Sequence, residues 1–316
     1  MKRYLHIFGR LLILVIFLAA AWLLYHSIQG HSRKEFIEAW QGISRWDVLA
    51  AFVLTFFNYI ILIGYDWLAV RWVGEKELPL KKIALASFTG YAFSYNFGAT
   101  LFGTSIRYRL YSAWGVTIRK ILDLLVILGL TFWFGVFTLA GAIFVVAPFP
   151  IPVELKDLKI PVQETYWIGV ALLLMAGAYV SLSAFRRKPI MIGRWQVPLP
   201  PLRLTLYQIA IACADLLVAA WVMYVLLPPL EGGYVRVLSV FMLAFVVGVL
   251  THVPGGVGVF ELTFVHFFPQ DQAASVLAAL LVFRMIYYWT PLILAGVMLG
   301  YHELTLREGS DHGPQA

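Results

Sequence analysis

Residues 96–111 read Asn96-Phe97-Gly98-Ala99-Thr100-Leu101-Phe102-Gly103-Thr104-Ser105-Ile106-Arg107-Tyr108-Arg109-Leu110-Tyr111, and they decide the fold. The apolar run 83–106 that contains their first half is long enough to cross a bilayer, for which a helix needs roughly 20 apolar residues. The stretch that follows, 107–120, holds Arg107, Arg109, Arg119 and Lys120 without an acid. The stretch before it, 71–82, holds Arg71, Lys76, Lys81 and Lys82. Lys and Arg accumulate on the cytoplasmic side of membrane proteins, so both flanks belong to one side. The segment 83–118 is therefore expected to enter from the cytoplasm, turn near Asn96–Gly103 and return, with Gly98 and Gly103 supplying backbone freedom at the turn.

The other loops follow from this one. Lys2, Arg3 and Arg10 place the amino terminus inside, and 186–203, with Arg186, Arg187, Lys188, Arg194 and Arg203 and no acid, is cytoplasmic. The Pro-rich 148–164 sets Glu154, Asp157 and Glu164 against Lys156 and Lys159 and is external. Segment 235–253 starts outside after Glu231 and breaks at Pro254-Gly255-Gly256, and 257–268 runs back to Pro269-Gln270-Asp271. Arg33, Lys34 and Arg45 are a counterexample in an external loop, partly offset by Glu35, Glu38 and Asp47. The expected fold is an all-α polytopic membrane protein with eight apolar segments. About six are full transmembrane helices (8–29, 48–70, 121–147, 165–185, 204–228 and 274–301) and two are oppositely oriented re-entrant hairpins. It divides into inverted units 1–147 (hairpin about 83–118) and 165–301 (hairpin about 235–268), with a cytoplasmic tail at 302–316. Interrupted elements in inverted repeats recur in transporters. The competing topology has every segment crossing and one loop breaking the charge rule.

Composition agrees with a membrane protein. Of 316 residues 61% are hydrophobic and 13% charged, and mean hydropathy is +0.81, whereas soluble chains run at about 25% charged. A soluble enzyme, a secreted disulfide scaffold and a nucleic-acid-binding domain are excluded, and the net charge of +7 sits in short runs at membrane flanks. Cys213 is the single cysteine and forms no intrachain disulfide. Lys2, Arg3 and Arg10 before Leu11–Tyr25 resemble a signal sequence, but full-span length and further spans make it an uncleaved first helix. Nucleotide-binding loops, metal-ligand spacings and nucleophile elbows are missing from the sequence. No cofactor or metal is expected, and uphill transport would draw on an ion gradient.

Ionisable groups inside lipid cost several kcal/mol unless paired, so each marks a candidate site. Arg107 and Tyr111 share a helix face at i, i+4, and Arg captures phosphate bidentately. Tyr108 and Arg109 adjoin them, although both arginines could instead snorkel to headgroups. In His252-Val253-Pro254-Gly255-Gly256-Val257-Gly258-Val259-Phe260-Glu261, the Pro and glycines permit a tight turn. Glu261 then pairs with an Arg of the opposite hairpin, titrates to couple protons, or sits solvated at the external interface; His252 is a structural hydrogen-bonder. Arg284, followed by Tyr287, Tyr288 and Pro291, lies too deep in the last span to snorkel. Asp66 and Asp215, on the second helices of the two units, are natural partners for Arg107, Arg109 or Arg284. A buried structural ion pair would read the same way, and Asn58 is a weaker candidate.

These clusters resemble the membrane-domain family of lysylphosphatidylglycerol synthetases and flippases, in particular its short stand-alone inner-membrane members. The likeness rests on Tyr65-Asp66, Tyr91-Ala92-Phe93, Gly103, Arg107-Tyr108-Arg109-Leu110-Tyr111-Ser112, Gly115, His252 to Glu261, Phe283-Arg284, Tyr287-Tyr288 and Pro291. The resemblance implies a bacterial inner-membrane protein with both termini cytoplasmic that moves an anionic or aminoacylated phospholipid between leaflets. Arg107, Arg109 and Arg284, with Tyr108 and Tyr111, would engage the lipid phosphate, and Glu261, Asp66 and Asp215 would balance or gate that charge. Full synthetases continue into a soluble aminoacyl-transfer domain; this chain ends at Ala316, so aminoacyl transfer is not expected. The chain departs from the family at Phe102-Gly103-Thr104-Ser105, where paired glycines are common. Membrane phospholipids are the expected partners. A competing reading makes the chain a non-transporting protein that presents lipid to a synthesis or envelope complex through 186–203, and a minor one makes it a lipid-modifying enzyme using Glu261 and His252.

Overall fold

The computed structural model describes residues 33–97, 102–149, 165–186, 190–192, 195–197, 199–250, 256 and 258–311. The expected first span 8–29 and the residues Gly98, His252, Pro254 and Gly255 lie outside the described residues. In chain order the helices are α1 (Arg33–Gly42), α2 (Arg45–Trp72), α3 (Leu80–Phe97), α4 (Thr104–Ala113), α5 (Ile118–Val146) and α6 (Thr165–Phe185). After them come α7 (Leu202–Leu226), α8 (Gly233–Leu250), α9 (Val259–Phe267), α10 (Ala273–Phe283), a π-helical segment Arg284–Trp289 and α11 (Thr290–Asp311). Inside the basic 186–203 loop a minimal antiparallel hairpin, β1 (Ile190–Ile192) with β2 (Trp195–Val197), pairs Met191 with Gln196. Three-residue strands are too short for apolar periodicity to reveal them.

Five rods are long and apolar enough to cross a membrane: α2, α5, α6, α7 and the continuous stretch Ala273–His302. They coincide with five of the six full spans expected from hydropathy. Local chemistry sets their ends. Ser44 caps α2 by accepting the Trp46 N–H, Asp47 lies in its positive first turn, and Gly74 (φ 87°) reverses the chain after it. Gly115 (φ 85°) does the same after α4, as Val116 N–H donates back to the Tyr111 carbonyl.

The spans pack through small residues, as helices in lipid do. The central pair is α2 against α7, with α5 beside both, and a Cβ on Gly135 of α5 would fall 2.1 Å from Ala212 Cβ of α7. One apolar cluster joins α5, α7, α8, α9 and α10 around Met223, Phe241, Phe264 and Phe283. The other joins α2, α3, α4 and α5 around Leu62, Ile83, Tyr111 and Leu124. Tyr95 packs against both clusters. The outer face of α2 presents Phe52, Phe56, Phe57 and Ile60, as a lipid-facing helix should.

The broken segments form two helix pairs, α3–α4 and α8–α9, and each comes back to the end of the bundle at which it began. Lys120, at the start of α5, reaches Glu75, just past the end of α2, at 2.7 Å. Trp114, just after α4, lies under Lys82 of α3 (5.5 Å) and against His302 of α11 (6.0 Å). Both ends of α3–α4 thus lie where α2 finishes and α5 starts. For the second pair, Arg236 near the start of α8 stacks over Phe149 and Phe267, each at 5.4 Å, and Phe267 ends α9. Phe149 follows α5, whose 29 residues span about 43 Å at 1.5 Å per residue. The open ends of the two pairs therefore lie at opposite ends of α5.

This arrangement has a direct test in a Cys213→Ala background. Exposed Glu77 and Thr117, changed to Cys, should react with an impermeant maleimide from one side of sealed membranes. Exposed Glu231 and Asp271, changed to Cys, should react from the other side. Labelling of positions 77 and 117 from opposite sides would overturn the paired arrangement.

Two expectations about glycine meet different outcomes. Gly256 (φ 60°) and Gly258 (φ 86°) have the left-handed backbone a tight turn requires. Gly103 does not: its φ of −64° and ψ of −39° are helical. Its role is close approach, since a Cβ there would collide with Ser94 Oγ and come within 2.7 Å of the Gly90 carbonyl oxygen.

Candidate functional site

Gly90 and Gly103 let α3 and α4 close tightly, and Arg107 lies in the space between them. A Cβ on Gly90 would be 2.8 Å from the Arg107 guanidinium carbon, so glycine there makes room for the charge. The guanidinium faces Asp66 of α2, with Nε 3.0 Å from Oδ1 and Nη2 2.9 Å from Oδ2. This is the bidentate geometry for which Arg is suited. Tyr111, one turn on from Arg107, donates its hydroxyl to Asp66 Oδ1 at 2.9 Å, and the Tyr91 ring covers Arg107 at 4.3 Å. Asp66 is fully buried and Arg107 nearly so. Tyr108 and Arg109 lie on the exposed face of the same helix, away from this pair.

The second pair belongs to α8–α9 and the last rod. Glu261, in the first turn of α9, accepts the Gly258 N–H on Oε2 at 2.7 Å and Arg284 Nε on Oε1 at 2.5 Å. The positive φ of Gly258 aims that N–H. Glu261 thus pairs with the last span rather than with an arginine of the opposite hairpin, and both partners are buried. Arg284 opens the π-helical segment and lies over the Tyr288 ring at 5.6 Å. The segment closes where the Thr290 hydroxyl donates to the Met285 carbonyl. Single π turns inside α-helices concentrate at functional sites because the extra residue re-aims side chains.

Asp215 of α7 is bound differently. Its Oδ1 accepts Asn58 Nδ2 at 2.9 Å and its Oδ2 accepts the Tyr65 hydroxyl at 2.9 Å. Asn58 Nδ2 also donates to the Asp215 main-chain carbonyl. Asn58 Oδ1 in turn accepts the Tyr287 hydroxyl of the π segment at 2.6 Å. Of the arginines expected as its partners, Arg107 goes to Asp66 and Arg284 to Glu261, while Arg109 lies on the exposed face of α4.

Tyrosines connect the three acids. Ring contacts run from Tyr65 to Tyr91 (5.8 Å), Tyr91 to Tyr95 (5.9 Å), Tyr95 to Tyr287 (5.8 Å) and Tyr287 to Tyr288 (5.5 Å). With Arg107 on Tyr91 and Arg284 on Tyr288, an unbroken aromatic path joins the ion pairs of the two helix pairs. Asn96, at the inner end of α3, ties the path to the π segment by donating to the Tyr288 carbonyl at 3.1 Å. Tyr59, Tyr65, Tyr91, Tyr95 and Gly90 escaped the sequence reading as site residues. The spacing of Tyr91 and Tyr95 at i, i+4 opposite Tyr65 is the signal that could have raised them. Among the described residues no group of His, Cys, Asp and Glu is placed to hold a metal ion.

A family model for the lysylphosphatidylglycerol synthase transmembrane region matches residues 8–295. The chain belongs to this family. Among its relatives, slr0712 of Synechocystis is 39% identical over 85% of this chain and 83% of its own length. Inner membrane protein YbhN of Escherichia coli is 33% identical over 82% of this chain and 81% of its own length. Phosphatidylglycerol lysyltransferase of Staphylococcus haemolyticus is 24% identical over 90% of this chain, which spans only 33% of that enzyme. Members of the lysylphosphatidylglycerol synthase membrane region thus include both short inner-membrane proteins and the membrane part of a larger enzyme. The chain is a multi-pass membrane protein of that family.

Proposed function

We propose that this family member is a lipid translocase, passing a phospholipid headgroup between leaflets without making or breaking a covalent bond. The observation that carries this reading is the pair of buried arginines, Arg107 and Arg284. Each belongs to or faces one of two helix pairs whose open ends lie at opposite ends of α5, each is held by one carboxylate, and an aromatic path links them. A lipid phosphate is the anion that can displace Asp66 or Glu261 from such an arginine while keeping its two-point geometry. A displaced carboxylate is then available to the amine of an aminoacylated headgroup. In this reading 1–147 and 165–301 are inverted units, both termini are cytoplasmic, and the α3–α4 and α8–α9 pairs are re-entrant.

The test is headgroup translocation in liposomes reconstituted with purified protein, using labelled phosphatidylglycerol, its lysyl ester and phosphatidylethanolamine. Exchange faster than in protein-free vesicles is expected for at least the anionic or aminoacylated lipid. Rates equal to protein-free vesicles for every lipid would overturn the reading. A lipid-synthesis enzyme retained by the basic 186–203 loop, without translocation, would replace it with a lipid-presenting role.

A further inference from the structure

The two ion pairs leave one acid over. Asp215 lies mid-way along a transmembrane rod with 4% of its surface exposed. Among the described residues its side-chain partners are the neutral Asn58 and Tyr65, and no Lys, Arg or His pairs with it. The titratable groups facing it are Tyr59 and Tyr65 from α2, Tyr91 and Tyr95 from α3, and Tyr287 from the π segment. Of the other helices packed near it, α5 carries Arg119, Lys120 and Asp123 in its first two turns, α8 carries Arg236 near its start, and α6 and α10 carry no charged residue. Asp66 and Glu261, at comparable burial, each have an arginine. A bare carboxylate in a membrane interior costs several kcal/mol, which pulls toward the neutral acid, while two donors aimed at its oxygens pull toward the anion.

We propose that Asp215 is a proton-binding site and that its loading and unloading drives the transport cycle. The second half rests on the translocase reading, and the first does not. The step is simple protonation: Asp215 carboxylate plus a proton from water gives the carboxylic acid, and the reverse step returns it. Its consequence is local and directional. A carboxylate only accepts, whereas the acid must also donate, so the oxygen that gains the proton, held by Asn58 or by Tyr65, needs a new acceptor and its present bond weakens. Asn58 is held by Tyr287, three residues beyond Arg284 in the π segment, and Asn96 of the first pair holds the next carbonyl. Re-aiming Asn58 therefore disturbs the segment that carries Arg284 against Glu261, coupling proton occupancy to the second ion pair.

Two measurements on the full protein test this. Infrared pH-difference spectra of protein in vesicles should show the C=O stretch of a carboxylic acid that comes and goes with pH. That band should vanish in Asp215→Asn, and its pH midpoint should move in Asn58→Ala, which keeps the carboxyl and removes a donor. Separately, the ratio of lipid exchange with an imposed proton gradient to exchange without one should differ from unity in the wild type and fall to unity in Asp215→Asn. An identical band in Asp215→Asn, or no titrating band in the wild type, would overturn the proton site. A band that behaves as expected in vesicles showing no lipid exchange would uphold the site and sink the translocase reading instead.

Discussion

Replacing Arg107 with alanine should destabilise the folded protein by about 3–5 kcal/mol, because it strands Asp66 in the interior with Tyr111 as its remaining side-chain donor. The same loss is expected from Asp66→Ala, which strands the guanidinium beside Gly90 and the Tyr91 ring. Thermal unfolding in detergent reads the effect. It does not by itself say whether the pair is anything more than a structural element. The double variant Asp66→Leu/Arg107→Met separates the two roles. Apolar residues of similar volume in place of a buried ion pair are often neutral or stabilising, so the double variant should regain most of the stability lost by either single change. Translocation should not return with it, since methionine holds no phosphate. Recovery of transport along with stability would remove Arg107 from the transport machinery and leave only its structural role.

Much of this arrangement was legible in the sequence, and the reason is charge. Lys82, Arg107, Arg119 and Lys120 flank one apolar run, and Glu231 and Asp271 flank another. Flanking charge reports sidedness even when hydropathy cannot tell a crossing from a hairpin. In the folded chain Lys120 contacts Glu75 and Arg236 stacks on Phe149 and Phe267, so the ends of each helix pair lie together. Arg107 and Tyr111 were readable as one unit because i, i+4 spacing is local, and both meet Asp66. The choice among Asp66, Asp215 and Glu261 for each arginine was not local. It depends on which helix faces approach closely, and that is set by Gly90, Gly103 and Gly135. Glycine serves two purposes, positive φ and close approach, and a sequence shows only the residue, so the close-approach role of Gly103 is not legible there. The π segment has no sequence signature in Arg284–Trp289; it is fixed by tertiary partners on either side, Glu261 and Asn58.

Replacing Glu261 with glutamine should be as damaging to stability as losing Arg107, about 3–5 kcal/mol, since it leaves the Arg284 charge buried against a neutral amide. The more informative result comes from combining the pairs. Asp66 bonds to Arg107 and Tyr111, whereas Glu261 bonds to Gly258 and Arg284, and independent sites add in stability to within about 0.3–0.5 kcal/mol. Apolar replacement of both pairs at once should therefore shift the unfolding midpoint by the sum of the separate shifts. Translocation should not follow that sum. If a headgroup passes from one arginine to the other along the Tyr91–Tyr95–Tyr287–Tyr288 path, losing either end stops passage. Losing the second end then has nothing further to remove. Additivity in unfolding with full non-additivity in transport would identify two stations of one route. Additivity in both would make them independent structural ties and shift the site of transport away from the aromatic path.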